Sequence, residues 1–268
     1  FELIIIDNTG RNDCKEQSLT NRNPATGMNT PSRGLFPTVK QINSGLPENV
    51  KIIKNDTPQN YPFSLNQGIK EAKGDYFLFL NSDSYGEKYL ENMLGKFNLF
   101  ENAGIIAPLT NKGEITQKIY NLSYEQNNLS DFESFSNYIK NRNPETVNLT
   151  ETEFIDGFCM LADKKLIEEI GGFDTRLTNL FAADFCLRTR LKNYKIIVSR
   201  DIFIHNYQSN DYENDKEFKF LKTKWNMNEA PYKNISELKI EKYSDENLYF
   251  PLDYNLENIF LNYLNATD

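Results

Sequence analysis

The stretch from Ala72 to Asp83 (Ala-Lys-Gly-Asp-Tyr-Phe-Leu-Phe-Leu-Asn-Ser-Asp) constrains the fold more than any other part of the chain. Tyr76 to Leu80 carries apolar side chains without polar alternation, the pattern of a strand covered on both faces in a parallel sheet. Gly74 supplies the turn into it. Asn81, Ser82 and Asp83 emerge at its C-terminal end, and open α/β sheets bind ligands just outside the carboxyl ends of their strands. Read locally, the same three residues also suit a polar loop whose Asp83 caps the following helix.

The segments around this stretch alternate in type. Phe1 to Ile6 and Val50 to Lys54 read as strands, and Pro62 to Lys73 as a helix with proline in its first turn and Gly74 past its end. Leu90, Met93, Leu94 and Phe97 recur at helical spacing, so the helix over Tyr89 to Phe97 has one apolar face. Ala103 to Ala107 reads as a strand, Phe132 to Ile139 as a helix and Phe154 to Leu161 as a strand. Lys164 to Ile170 is a helix closed by Gly171 and Gly172, of which glycine tolerates the left-handed conformation. A helix over Ala182 to Leu191 precedes strands at Lys195 to Val198 and Ile202 to His205. This order predicts an α/β fold with a mostly parallel sheet flanked by helices.

Two long polar segments, 11–48 and 109–150, interrupt the pattern, and connections of that length in a compact domain carry function or move. After Gln208 the composition turns charged and then aromatic, with helices expected at Asp215 to Trp225 and Leu256 to Leu264. We therefore expect a domain over residues 1–208 and a helical, aromatic C-terminal extension over 209–268 packed on it.

Charge narrows the function classes. A net charge of −8 and a pI near 5.0, with no basic stripe, argue against nucleic-acid binding. An acidic protein that handles a phosphorylated ligand needs a local cation, such as a divalent metal. The longest apolar runs, Leu3 to Ile6 and Tyr76 to Leu80, fall far short of the ~18 residues of a membrane span. No signal peptide is visible, and the first residue is not Met, which leaves open what precedes it. Cys14, Cys159 and Cys186 form no CxxC pair and read as thiols of a reducing compartment, so a cytoplasmic location is expected. The sequons at Asn121, Asn128, Asn148, Asn234 and Asn265 are read as a consequence of asparagine-rich composition.

Four separated motifs stand in one order: Phe1-Glu-Leu-Ile-Ile-Ile-Asp-Asn8; Asn66-Gln-Gly68 ahead of the Ala72 to Asp83 stretch; Gly157-Phe-Cys-Met-Leu161 leading to Gly171-Gly-Phe-Asp174; and Asp184-Phe-Cys-Leu-Arg188. Each is weak alone. As an ordered set over residues 1 to about 208 they resemble the family 2 glycosyltransferases, inverting enzymes of the GT-A fold that use nucleotide-activated sugars.

The resemblance implies a role for each position. Asp83 and His205 would hold a divalent cation, Mn²⁺ or Mg²⁺. Such a cation takes one or two carboxylates and completes its shell with phosphates. Asn81 stands where the family's Asp-x-Asp motif has its first carboxylate. Asp7, Asn8, Asn66, Asn81, Ser82 and Asp83 would contact the donor, with Asp7 accepting from a ring N–H of the base. Gly157 and Asp174 would line the acceptor side. Read locally, Asp7 also suits an Asx-turn, Asn66 an ordinary helix surface, and His205, the only histidine, a packing position at a strand end. The function implied is transfer of a sugar from a nucleoside-diphosphate donor, a UDP-sugar in first place, to a glycan, lipid-linked or protein acceptor with inversion. A lipid-linked acceptor would be compatible with peripheral membrane association, although no basic amphipathic helix supports it.

One departure concerns the general base. Relatives present Glu-Asp-x-Asp here, and aligning on Asp184 to Arg188 puts Phe181 and Ala182 where the Glu-Asp pair should be. An inverting transfer needs a base within reach of the acceptor hydroxyl. Asp184 is the candidate if the helix start is shifted, although it also suits an ion pair with Arg188 four residues on. Asp174 and Asp156 are candidates elsewhere. The alternative is a non-catalytic nucleotide-sugar-binding or assembly module. Relatives also begin with a strand and helix ahead of the equivalent of Phe1, so some donor contacts are expected outside this chain. A nucleotidyltransferase would want a basic, Gly-rich phosphate loop, for which Thr9-Gly10-Arg11 is too slight.

Overall fold

The computed structural model describes residues 1–8, 50–86, 89–112, 116–120, 122, 129–141, 148–207, 215–227 and 244–252. Thr9, Gly10, Cys14, the segment 11–48, the expected helix over Leu256 to Leu264 and the sequons at Asn121, Asn128, Asn234 and Asn265 lie outside these residues. The chain divides into two units, Phe1–Gln59 and Asn60–Asp268.

In the first unit, β1 (Leu3–Asp7) and β2 (Val50–Lys54) pair in parallel from Leu3 opposite Val50 to Asp7 opposite Lys54. Their isoleucine-rich runs suit the pleated ladder because β-branched side chains lose little freedom there. Past the ladder the Asp7 carbonyl accepts from the Asn55 N–H at 2.9 Å.

The second unit opens with α1 (Tyr61–Glu71), where the Asn60 side chain accepts from the Phe63 N–H and Pro62 sits in the first turn. The helix ends two residues earlier than expected, because Ala72 is already extended while its N–H bonds back to Gly68. Strands β3 (Tyr76–Leu80), β5 (Ala103–Leu109), β6 (Leu149–Thr152), β7 (Cys159–Asp163) and β8 (Lys195–Phe203) form a five-stranded sheet in the order β3-β7-β5-β8-β6. A two-residue ladder joins β4 (Ser84–Tyr85) to β9 (His205–Asn206). The helices are α2 (Leu90–Lys96), α3 (Leu129–Asn141), α4 (Lys164–Ile170), α5 (Phe181–Leu191) and α6 (Asp215–Lys224).

The α/β class and the sheet flanked by helices are as expected, but the strand directions are not. Only β5 and β8 pair in parallel in this sheet; β7 is antiparallel to β3 and β5, and β6 to β8. An apolar run reports burial and carries no information about the direction of its neighbours. Nor is β3 covered on both faces: Phe77 and Phe79 are buried while Tyr76 and Leu80 are each 40% exposed, since β3 ends the described sheet.

Two boundaries also shift. β7 starts at Cys159 because Asp156 turns the chain first, its Oδ1 accepting from the Phe158 N–H at 3.2 Å. The two late strands form the single β8, whose pairing with β5 skips from Ser199 to Phe203 beside Pro108. Proline has no N–H to give the ladder at that point. Along β5, side chains alternate between two cores. Ile105, Ala107 and Leu109 meet Phe132, Leu166, Phe185 and Trp225 from α3, α4, α5 and the end of α6. Ala103 and Ile106 meet Met93 and Phe97 on the α2 side. Among the described residues, no helix is long and apolar enough to cross a membrane.

Candidate functional site

Because β3, β5 and β8 point one way and β7 the other, four chain segments converge on one edge of the sheet. These are Asn81 to Asp83 after β3, Thr110 to Lys112 after β5, Asp156 to Phe158 before β7 and Ile204 to Tyr207 after β8. The Asn81 N–H donates to the Phe158 carbonyl at 2.8 Å, and the Tyr207 N–H to the Asp83 carbonyl at 2.8 Å.

The β4–β9 ladder sets Tyr85 opposite His205 and Ser84 opposite Asn206. Asp83 is therefore a diagonal neighbour of His205, and diagonal Cβ atoms on one face lie at most roughly 7–8 Å apart. Residues 122 positions apart in sequence (205 − 83) are thus brought together by a ladder of two residues. His205 is buried, and burial first, then the charge of Lys112, hold its imidazole down at about 4. The ring is therefore neutral near pH 7, the form that can ligate a cation. Lys112 reaches the Tyr207 carbonyl at 3.4 Å. Among the described residues no group of three or more His, Cys, Asp or Glu side chains could hold a metal ion. One carboxylate and one neutral imidazole fit a hard cation only if ligand oxygens, such as phosphates, fill its remaining positions.

Asn111 fixes this corner. Its Nδ2 donates to the Asn206 carbonyl at 3.0 Å and its Oδ1 accepts from the Asn206 N–H at 2.7 Å. Gln117 ties the adjacent loop, donating to the Pro108 carbonyl at 3.1 Å and accepting from the Asp156 N–H at 2.5 Å. Neither residue stood out in the sequence. The available signal was positional: Thr110-Asn111-Lys112 follows a wholly apolar strand as Asn81-Ser82-Asp83 does.

Several residues expected at the site make bonds that hold the fold. Asn66 is buried, its Oδ1 accepting from the Phe173 N–H and its Nδ2 donating to the Phe173 carbonyl, both at 2.8 Å. A Cβ on Gly172 would collide with that amide. The amide expected to contact the donor thus bonds the Phe173 backbone. Asn8, likewise expected at the donor, accepts from the Gln59 N–H at 2.7 Å and donates to the Gln59 carbonyl at 2.5 Å. Asp7 is buried at the end of β1, in the first unit. Ser82 is exposed, and Asn81 and Asp83 are half-buried.

The two acidic residues near α5 are committed as well. Asp184, fully buried, accepts from Arg188 Nε at 2.9 Å, Lys224 Nζ at 2.6 Å and Trp225 Nε1 at 2.9 Å. Asp174, also fully buried, accepts from Arg176 Nε at 2.8 Å and Nη2 at 2.6 Å and from Lys224 Nζ at 2.9 Å. Burial opposes ionisation of Asp174, but the Arg176 and Lys224 bonds and charges outweigh it and hold the carboxyl at about 2. Asp184, expected as the base, and Asp174, expected on the acceptor side, both tie α5, its preceding loop and α6 together. Gly157 packs on the start of α5. A Cβ there would meet the Phe181 ring and lie 3.1 Å from the Ala182 methyl.

The family profile described as Glycosyl transferase family 2 matches residues 37–171, which include Asn66, Asp83 and Gly157. No curated protein matches the chain. Among solved structures, the chain is similar to a mannosyltransferase, PcManGT from Pyrobaculum calidifontis, in complex with GDP-Man and Mn²⁺, at 13% identity and TM-score 0.48, covering 79% of this chain and 49% of that one. It is also similar to S. aureus TarS 1-349 in complex with UDP, at 15% identity and TM-score 0.42, covering 76% and 50%. A third likeness is to GalNAc-T7 with UDP, GalNAc and Mn²⁺, at 11% identity and TM-score 0.44, covering 65% and 36%. The match thus spans half or less of the length of each of these chains.

Proposed function

The chain belongs to glycosyl transferase family 2, and from that premise we propose that it moves a sugar from a nucleoside-diphosphate donor to an acceptor hydroxyl. The favoured donor is a UDP-sugar, the acceptor a glycan, a lipid-linked glycan or a protein, and the transfer inverts the anomeric carbon. The observation that carries this is the β4–β9 ladder, which holds Asp83 and His205 at one corner of the sheet edge.

In this reading the Asp83 carboxylate and the neutral His205 imidazole hold Mn²⁺ or Mg²⁺. The cation supplies charge to stabilise the departing diphosphate. Asn111 keeps His205 in place by gripping the residue after it. Ser82, exposed beside Asp83, is available to donor oxygens. On the first unit, the Asp7 carboxylate is the proposed partner of a nucleobase N–H. A second reading, a module that binds the donor without transferring it, is favoured by Ala182 at the position where relatives carry the base.

Calorimetric titration of UDP with and without Mn²⁺ tests the donor site. Binding should require Mn²⁺ and weaken at least about tenfold in Asp83→Ala and in His205→Ala, roughly the 1.4 kcal/mol of one lost ligand contact. Metal-independent binding that is unchanged in both variants would overturn the proposal.

A further inference from the structure

Asn81 and Lys112 set the charge of the corner that Asp83 and His205 share. Asn81 is uncharged where an Asp-x-Asp motif would place a carboxylate. Among the described residues no third His, Cys, Asp or Glu joins Asp83 and His205 to make a metal-holding group. Lys112 adds a positive charge. Its Nζ donates to the Tyr207 carbonyl at 3.4 Å, while the Tyr207 N–H donates to the Asp83 carbonyl at 2.8 Å. The Tyr207 ring lies 4.3 Å from that of His205, centroid to centroid. Tyr207 thus links the lysine to both members of the proposed metal pair.

The root of Lys112 is fixed, and its ammonium is not spent. Its backbone N–H donates to Thr110 Oγ1 at 3.4 Å, and Asn111 beside it clamps Asn206. An ammonium has three donors, and the long bond to Tyr207 uses one of them. Among the described residues no carboxylate pairs with it, whereas Lys224 is shared by Asp174 and Asp184. After burial, the charge of Lys112 is what holds the His205 imidazole down, so the ammonium acts on the ring proposed as a ligand.

Asp83 brings one negative charge to this corner and Lys112 one positive, while Asn81 and the neutral His205 bring none. A divalent cation arriving alone therefore meets no net charge and two side-chain ligands, fewer than the roughly six oxygens a hard cation takes. The same ammonium attracts a diphosphate, because lysine binds phosphate as a compact point charge.

We propose that Lys112 contacts the diphosphate of the donor and disfavours a cation that arrives alone, so that the metal enters with the nucleotide. The inference rests on the glycosyl-transfer reading. It gives Lys112 opposite effects on two ligands. A structural role would weaken both, and a solvated surface lysine would alter neither.

Calorimetry with saturating Mn²⁺ measures UDP affinity, and the paramagnetic resonance signal of unbound Mn²⁺ measures the affinity of the nucleotide-free protein for the ion. Only the Mn²⁺ binding that Asp83→Ala abolishes is counted. Lys112→Met should weaken UDP at least about tenfold, because a hydrogen bond to a charged group is lost. It should tighten Mn²⁺ about threefold or more, because a like charge is removed. Lys112→Arg, which keeps the charge, should stay close to the unmodified protein on both. Loss of both affinities together with a lowered melting temperature in Lys112→Met, or either affinity left unchanged, overturns the inference; Mn²⁺-dependent UDP binding by the unmodified protein then leaves the donor site standing. Absence of that binding removes both.

Discussion

Asn111 grips the backbone of Asn206 with both ends of its amide, donating to the carbonyl at 3.0 Å and accepting from the N–H at 2.7 Å. A carboxamide carries the donor and acceptor of a peptide group, so it adds one rung to the β4–β9 ladder beside His205. Asn66 treats Phe173 in the same way, and Asn8 treats Gln59. Asn111→Ala leaves two buried backbone groups unmatched, so a stability loss on the order of 2–4 kcal/mol is expected. It should also weaken Mn²⁺-dependent UDP binding, because the His205 strand loses its clamp. Asn66→Ala should cost similar stability and leave the metal dependence intact. Denaturant melts paired with calorimetry separate the two; equal effects on binding would count against the clamp's role at His205.

Lys224 is the bridge on which the α5–α6 contact turns. Its ammonium sits 2.9 Å from Asp174 and 2.6 Å from Asp184, all three side chains nearly or fully buried. Breaking a buried pair by removing one partner typically costs about 3–5 kcal/mol, because a charge is left uncompensated. Lys224→Met should reach that range. Adding Asp184→Asn should recover part of it, since the neutral amide no longer needs a cation. Trp225 is the chain's single tryptophan and bonds Asp184, so its fluorescence follows both transitions. A double variant no more stable than the single one would contradict the charge argument.

Asp174 should shape acid stability. Its folded-state value, about 2, lies below the ordinary 3.8. A depressed carboxylate contributes stability that is present above its unfolded pKa and is lost as pH falls through the folded one. The difference corresponds to on the order of 2 kcal/mol, disappearing between about pH 4 and pH 2. Asp174→Asn should flatten the fall in denaturation midpoint over that window while lowering stability at neutral pH. An unchanged slope would show that other carboxylates carry the acid transition.

Tyr61→Phe should behave unlike most core polar deletions. Among the described residues the hydroxyl has no hydrogen-bond partner to lose, so its removal should leave the melting temperature unchanged or raise it. Stability measurements on the isolated chain test this directly, and a loss of more than about 1 kcal/mol would mean the hydroxyl is satisfied in solution.

The helix over Tyr61–Glu71 and strands β2 and β3 were legible because capping, proline placement and apolar runs are encoded within a few residues. Gly171 was legible for the same reason: glycine allows its φ of 72°, and the Phe250 carbonyl leaves no room for a side chain there. Strand direction was not legible. A run such as Cys159–Asp163 looks alike whether its neighbours are parallel or antiparallel, and only the pairing of distant strands decides it. The skip beside Pro108 that fuses the last strands likewise depends on a partner strand remote in sequence.

By itself, the sequence determined the α/β class, the family likeness and the kinds of side chain available for chemistry, because those follow from residue type and local order. Tertiary structure alone decided how each polar side chain is used. Asp83 and His205 lie diagonally across from each other because a two-residue ladder pairs their neighbouring segments, whereas Asp174 and Asp184 lie deep beside Lys224 and Arg188. A carboxylate's chemistry depends on its exposure and on the charges within a few ångströms, and both are set by packing that brings distant segments together.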